Sequence, residues 1–206
     1  MTNKEIRYQQ TKELRVQPNA DGSKSISGYA IVWNSPSHDL GGFTEIVAPG
    51  AVTESLANNP DVLCLRDHDI SILLGRTTSG TLQLVEDAAG LRFSCKLPNT
   101  SQAADLAESI DRGDISGCSF GFRTEMDQWS QDSEKKPVRT LQKVTLFEIS
   151  IVSLPAYDAT TVAMRSIPVS VQQKLASLGD DDFEQRYKTY ARLKLDSLRI
   201  TARRSR

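Results

Sequence analysis

Three short stretches, far apart in the chain, carry side chains that could act together on a carbonyl group. They are DISGCSFGF (114–122), LRDHD (65–69) and FEIS (147–150). Read as a strand, residues 115–123 place Ile115, Gly117, Ser119, Gly121 and Arg123 on one face. Ser116, Cys118, Phe120 and Phe122 take the other, which suits a core. Ser119 thus lies between two glycines that set no side chain beside it, as a nucleophile open to substrate would need. The same glycines also fit a sharply bent strand, and this stretch alone leaves both readings open.

In the third stretch, strand alternation groups Glu148 with Val144, Leu146, Val152 and Leu154. A carboxylate on so apolar a face needs a partner, because burying an unpaired charge is costly. An arginine would make a structural ion pair; a histidine would make something more. The chain has two histidines. His38, in WNSPSHDLGG, reads as an exposed loop residue. His68 ends a strand, where it is either a solvated residue between two aspartates or a base. A serine needs a neighbouring base to take its proton, and an imidazole works best when a carboxylate fixes its tautomer. Ser119, His68 and Glu148 are the set that supplies nucleophile, base and orienting acid.

Rival chemistry is poorly supported. Asp67, His68 and Asp69 alternate faces on a strand and have no second histidine at ligand spacing, so no metal is expected. Cys118 falls on the apolar face and reads as core filler. Neither a phosphate-binding glycine loop nor an HExxH helix is present, and no cofactor is expected.

The elements that must position these residues read mainly as strands. ELRVQ and SISGYAIVW flank a turn, and GTLQLVED and GLRFSCKLP form a hairpin around DAAG. CSFGFRTEM and VTLFEISIVSL follow across a polar loop. VTESLANN is a short helix. SQAADLAESIDRGD is a longer one, with Ser101 as its N-cap and Ala104, Leu106, Ala107 and Ile110 on one face. The expected body, residues 1–166, is a mostly antiparallel β domain, closed into a barrel or strongly bent, with one or two helices. Residues 167–206 differ. They hold 9 Lys/Arg against 5 Asp/Glu, where the body holds 16 against 21. Phe183, Tyr187, Tyr190, Ala191, Leu195 and Leu198 recur at helical spacing, so a linker and a basic amphipathic C-terminal helix are expected there. The net charge of -1 gives no general pull toward nucleic acid, and no apolar run is long enough for a membrane span. The polar start MTNKEIRYQQ does not read as a signal peptide. Three cysteines without CxxC spacing argue for a reducing compartment.

The body resembles the prohead (capsid maturation) serine protease family of tailed bacteriophages, whose fold is related to the herpesvirus assemblin proteases. GYAIVWN, FTEIVAPGAV, LRDHD, LLGRTTSGTLQL, DISGCSFGF and FEISIVSLPAYDAT carry the resemblance, in family order, over residues 12–165. It implies a herpesvirus-protease-like β-barrel surrounded by helices and an endopeptidase without metal or cofactor. The family's histidine falls on His68, its serine on Ser119 in a G-x-S-x-G-F pattern, and its acid on Glu148 in an E-[IV]-S pattern. The implied substrates are capsid and scaffold proteins, with self-cleavage and self-association. The implied place is the assembling procapsid in the host cell cytoplasm. A non-catalytic assembly or scaffold protein on the same fold is the alternative; a broken triad would favour it, and all three members are present.

Overall fold

The computed structural model describes residues 4–153 apart from 12, 59 and 60, with only the backbone of Gln10. The boundary expected at residue 166 and the helix expected over 183–198 lie outside the described residues. Among the described residues, ten strands form two sheets. In the larger, β1 (Glu5–Gln10), β9 (Gly117–Gln131), β10 (Pro137–Val152), β5 (Leu63–Arg66) and β6 (Asp69–Arg76) lie side by side in that order. β4 (Thr44–Val47) also pairs with β10. The smaller sheet runs β2 (Arg15–Pro18), β3 (Lys24–Val32), β8 (Gly90–Lys96), β7 (Leu82–Glu86).

The sheets meet through their apolar faces. Ile26, Ile31, Leu91, Phe93 and Cys95 of the smaller sheet join Cys118, Phe120, Phe122, Leu146, Ile149 and Ile151 of the larger in one buried cluster. Phe120 and Phe122 stack with ring centroids 5.2 Å apart. Each buried phenylalanine contributes roughly 1.5–3 kcal/mol relative to exposure. β9 and β10 are therefore held rigidly from the core side, which leaves their other face free to carry chemistry.

Two expectations need correction. Among the described residues neither sheet closes into a barrel, and only two helices, α1 (Thr53–Ala57) and α2 (Ser101–Asp111), accompany them. β1 and β6 remain opposite edges of the larger sheet. β6 approaches the smaller sheet by packing instead: a Cβ on Gly75 would lie 2.6 Å from Cys95 Sγ, closer than any side chain allows. Pairing is mostly antiparallel, as expected, with the exception that β10 runs parallel to both β4 and β5. Parallel neighbours are joined by long crossovers and leave no local turn signal in the sequence. Finally, α2 begins one residue early. Thr100, extended at φ −127°, caps it by accepting from Ala103 N–H at 3.3 Å. Ala103, not Ala104, then joins Leu106, Ala107 and Ile110 on the buried face.

Candidate active site

The pairing of β9 with β10 brings the serine and the glutamate to one face. Gly117 lies opposite Val152, Ser119 opposite Ser150, and Gly121 opposite Glu148. The alternate residues Cys118, Phe120 and Phe122 lie opposite Ile151, Ile149 and Leu146, in the core. The register shifts between Leu146 and Glu148, so Phe147 is an extra residue in β10. Such a bulge reverses the alternation of faces. Leu146 and Val144 consequently belong to the core, and Glu148 shares its face with Ser150 and Val152. Simple alternation along the sequence had grouped Glu148 with Leu146; the bulge is why it does not hold.

The glycines do make room, but the chain itself uses the space. A Cβ on Gly121 would lie 2.8 Å from Glu148 Cγ and 2.9 Å from its Oε1. A Cβ on Gly117 would strike the ring of Tyr8, at 2.3 Å from its nearest atom. Tyr8 comes from β1, which pairs along β9 with Tyr8 opposite Ser119. Ser119 is 1% exposed in this arrangement. The open surface expected around it is therefore filled.

His68 reaches the site through an unusual turn. Asp67 and His68 form the two-residue connection between β5 and β6, and both have positive φ, 49° and 61°. A tight hairpin turn of this hand asks for positive φ at both central positions, which glycine, asparagine and aspartate tolerate best. A histidine there costs on the order of 1–3 kcal/mol. Contacts to the end of β10 hold it. Asp67 N–H donates to Ile151 C=O at 3.0 Å, and the Asp67 carboxylate accepts from Ser153 N–H at 2.8 Å and Ser153 Oγ at 3.1 Å.

This turn sets His68 Nδ1 3.1 Å from Glu148 Oε1. Lys4 Nζ donates to the same oxygen at 2.5 Å, and Ser150 Oγ donates to Oε2 at 2.7 Å. Burial opposes ionisation of Glu148, which is 2% exposed. The hydrogen bonds from His68, Lys4 and Ser150 outweigh it and bring the carboxyl down to about 2. Glu148 is thus an ionised acceptor facing Nδ1, which favours the tautomer with its proton on Nδ1 and the lone pair on Nε2.

The third contact is not made. Ser119 Oγ donates to Arg7 C=O at 2.8 Å. His68 Nε2 is buried and has no hydrogen-bond partner among the described residues. The structure therefore joins His68 to Glu148 and leaves Ser119 turned toward β1. His38 is exposed, as expected. Burial pushes the Cys118 thiol up to about 12, so it stays protonated in the core. Asp67 faces Ser153 and Asp69 accepts from Ser71, so the DHD triplet does not converge on a common point.

Two partners of Glu148 were not foreseen. Ser150 had a signal, since a residue two positions along a strand shares its face. Lys4 had none, because it and the β1 strand that follows it lie in a polar stretch with no pattern of its own.

Comparisons with known proteins agree with this architecture. The bacteriophage T4 capsid assembly protease, a solved structure, aligns with a TM-score of 0.50 at 11% identity, covering 73% of this chain and 97% of that one. It supports a mainly β fold of the same kind. In sequence, the prohead protease of Enterobacteria phage HK97 is 31% identical over 160 residues, which is 75% of this chain and 67% of the relative. A family model described as caudovirus prohead serine protease matches residues 10–174, a span that includes His68, Ser119 and Glu148. With that match over most of its length, the chain belongs to the caudovirus prohead serine protease family and is a serine protease.

Proposed function

We propose that Ser119 is the nucleophile, His68 the general base and Glu148 the orienting acid of an endopeptidase that matures a phage capsid from within. The observation that carries this reading is the buried, ionised Glu148 on Nδ1 of a histidine whose Nε2 has no hydrogen-bond partner among the described residues. A buried polar atom left without a hydrogen bond is costly, so its persistence points to a partner supplied during the reaction.

In the working state Ser119 Oγ leaves Arg7 C=O and donates to His68 Nε2. Attack on the scissile carbonyl then passes the serine proton to Nε2, and the Glu148 carboxylate offsets the imidazolium charge. Protonated His68 gives its proton to the leaving amine. Water repeats the sequence to release the acyl group from Ser119 and restore the enzyme.

The substrates are capsid and scaffold proteins of the assembling prohead, a reading supported by the word prohead in the names of the family and of the HK97 relative. The enzyme also removes its own basic tail by cutting between about residue 166 and residue 185, where the charge changes sign. Co-expression with the cognate major capsid protein, followed by intact-mass analysis, tests both statements. Wild type should yield discrete capsid fragments and a shortened protease, and His68→Ala neither. Intact capsid protein beside folded wild type would refute the substrate assignment. A full-length protease among cut capsid fragments would refute self-removal of the tail.

A further inference from the structure

The triad reading gives Glu148 one task, to face His68 with one oxygen, and a carboxylate has two. What the second oxygen does is fixed by Ser150. Its side chain is 0% exposed, and its Oγ donates to Glu148 Oε2 at 2.7 Å. Ser150 lies two residues beyond Glu148 on β10, directly opposite Ser119 on β9, and just past the bulge at Phe147.

We propose that Ser150 is a positioning residue for catalysis, holding the Glu148 carboxylate so that Oε1 stays on His68 Nδ1. The inference rests on the triad reading above. Glutamate has one more rotatable bond than aspartate, so a glutamate orienter needs an anchor that an aspartate needs less. Rotation about its last torsion is broad and weakly restrained by itself. Oε1 is shared by His68 and Lys4, and Lys4 reaches it from a side chain that is 45% exposed. An exposed ammonium on a flexible stem is a poor anchor. Ser150 is the buried donor, on the rigid strand that carries Glu148 itself. With Oε2 tied to Ser150, the plane of the carboxylate is set by β10, and the histidine meets a fixed acceptor.

The bulge is part of the device. Without the extra residue, Glu148 and Ser150 would face the phenylalanine core; with it, both turn to the side of Ser119.

The test is a double-substitution cycle measured by peptide cleavage and by the downfield proton resonance of His68 Nδ1–H. Ser150→Ala should lower kcat about tenfold or more at nearly unchanged KM, and should weaken or broaden that resonance. In a Glu148→Gln background the same change should cost less than about twofold, because the group it positions is already disabled. Ser150→Cys, close in shape and a weaker donor, should fall between serine and alanine, and it carries the test if the alanine variant does not fold. The proposal is overturned if Ser150→Ala keeps kcat and the resonance within about twofold of wild type. It is also overturned if the loss is equally large in both backgrounds, which marks a purely structural residue. Should Glu148→Gln alone leave kcat intact, the triad reading itself fails and this inference fails with it.

Discussion

Glu45, on β4 beside β10, and Glu148, on β10 itself, are both buried carboxylates, 4% and 2% exposed, and they have been satisfied in opposite ways. Glu45 belongs to a closed ionic network. Arg7 donates to it through Nε at 2.8 Å and Nη2 at 3.1 Å, and Arg139 Nη1 at 3.0 Å. Both arginines also reach Glu5, and Arg139 extends to Asp127 and Thr124. No buried side-chain nitrogen or oxygen of Glu5, Arg7, Glu45 or Arg139 is left over. Around Glu148 the carboxylate is equally well supplied, but the chain of contacts stops at His68 Nε2. A network whose every group is paired fixes structure and has nothing left to offer a substrate. One open end, aimed from a strained turn, is what separates the cluster proposed as reactive from the structural one.

The contrast can be broken from either side. On the structural side, Arg139→Ala leaves Glu5 and Glu45 to share Arg7 and takes its arginine from Asp127, and breaking a buried pair in this way costs about 3–5 kcal/mol. Denaturant titration should show a loss of that size, with kcat of the remaining folded fraction near wild type. On the reactive side, Glu148→Gln should lower kcat/KM at least about a hundredfold, roughly 2.7 kcal/mol of transition-state stabilisation, with a smaller change in stability. If Glu148→Gln instead unfolds the protein and Arg139→Ala instead stops turnover, the two clusters have been assigned the wrong way round.

A smaller effect sharpens the geometry. Gly121→Ala forces a methyl group against Glu148 Cγ and Oε1, at 2.8 and 2.9 Å, and against Lys4 Cε at 2.6 Å. Lys4 can move aside; Glu148 cannot move without leaving His68. A drop in kcat of about tenfold is expected from a displacement of this order, with the fold kept. Unchanged kcat would show that the carboxylate has more freedom than its hydrogen bonds imply.

Acid should reveal the same pairing. The Glu148 carboxyl lies at about 2, below its ordinary value of 4.5, so its ionised form stabilises the fold above the ordinary range. That contribution is lost as pH falls from about 4.5 toward 2. The stability gap between wild type and Glu148→Gln should be level at neutral pH and shrink across that acid window. A gap that does not change there would mean that the carboxylate is not held by its three donors.

The smallest expected effect lies in the turn. His68→Gly and His68→Ala both remove the imidazole, but only glycine accepts φ 61° without strain. The glycine variant should be the more stable of the two by about 1 kcal/mol in denaturant, while both are inactive. Equal stability would mean that the turn relaxes when the histidine goes.

Much of this site was legible in the sequence because its signals are local. Two glycines on one side of Ser119 and two phenylalanines on the other define the faces of β9 without any partner strand. A chain with two histidines narrows the base to His68 once His38 falls in a turn-rich loop. What could not be read depends on long-range pairing. The bulge at Phe147 has no residue signature and exists only against β9. β1 gains its place from Arg139 and Glu45, more than thirty residues away in every case, so EIRYQQ looks like an ordinary polar start. For the same reason the sequence showed glycines clearing space around Ser119 and could not show Tyr8 and Glu148 occupying it. The parallel neighbours of β10 and the open edges of the two sheets were likewise out of reach, since both are properties of the assembled sheet.

The central claim is that Ser119, on the glycine face of β9, is the attacking residue, and Ser116 offers the sharpest control because it lies only three positions away in the same segment. Cleavage of the capsid protein should be measured for Ser119→Ala and Ser116→Ala together, with thermal melts on both. Ser119→Ala should melt like wild type and leave the capsid protein uncut, while Ser116→Ala should keep most of the activity. A folded Ser119→Ala variant that still cuts, beside an inactive Ser116→Ala, would contradict the claim.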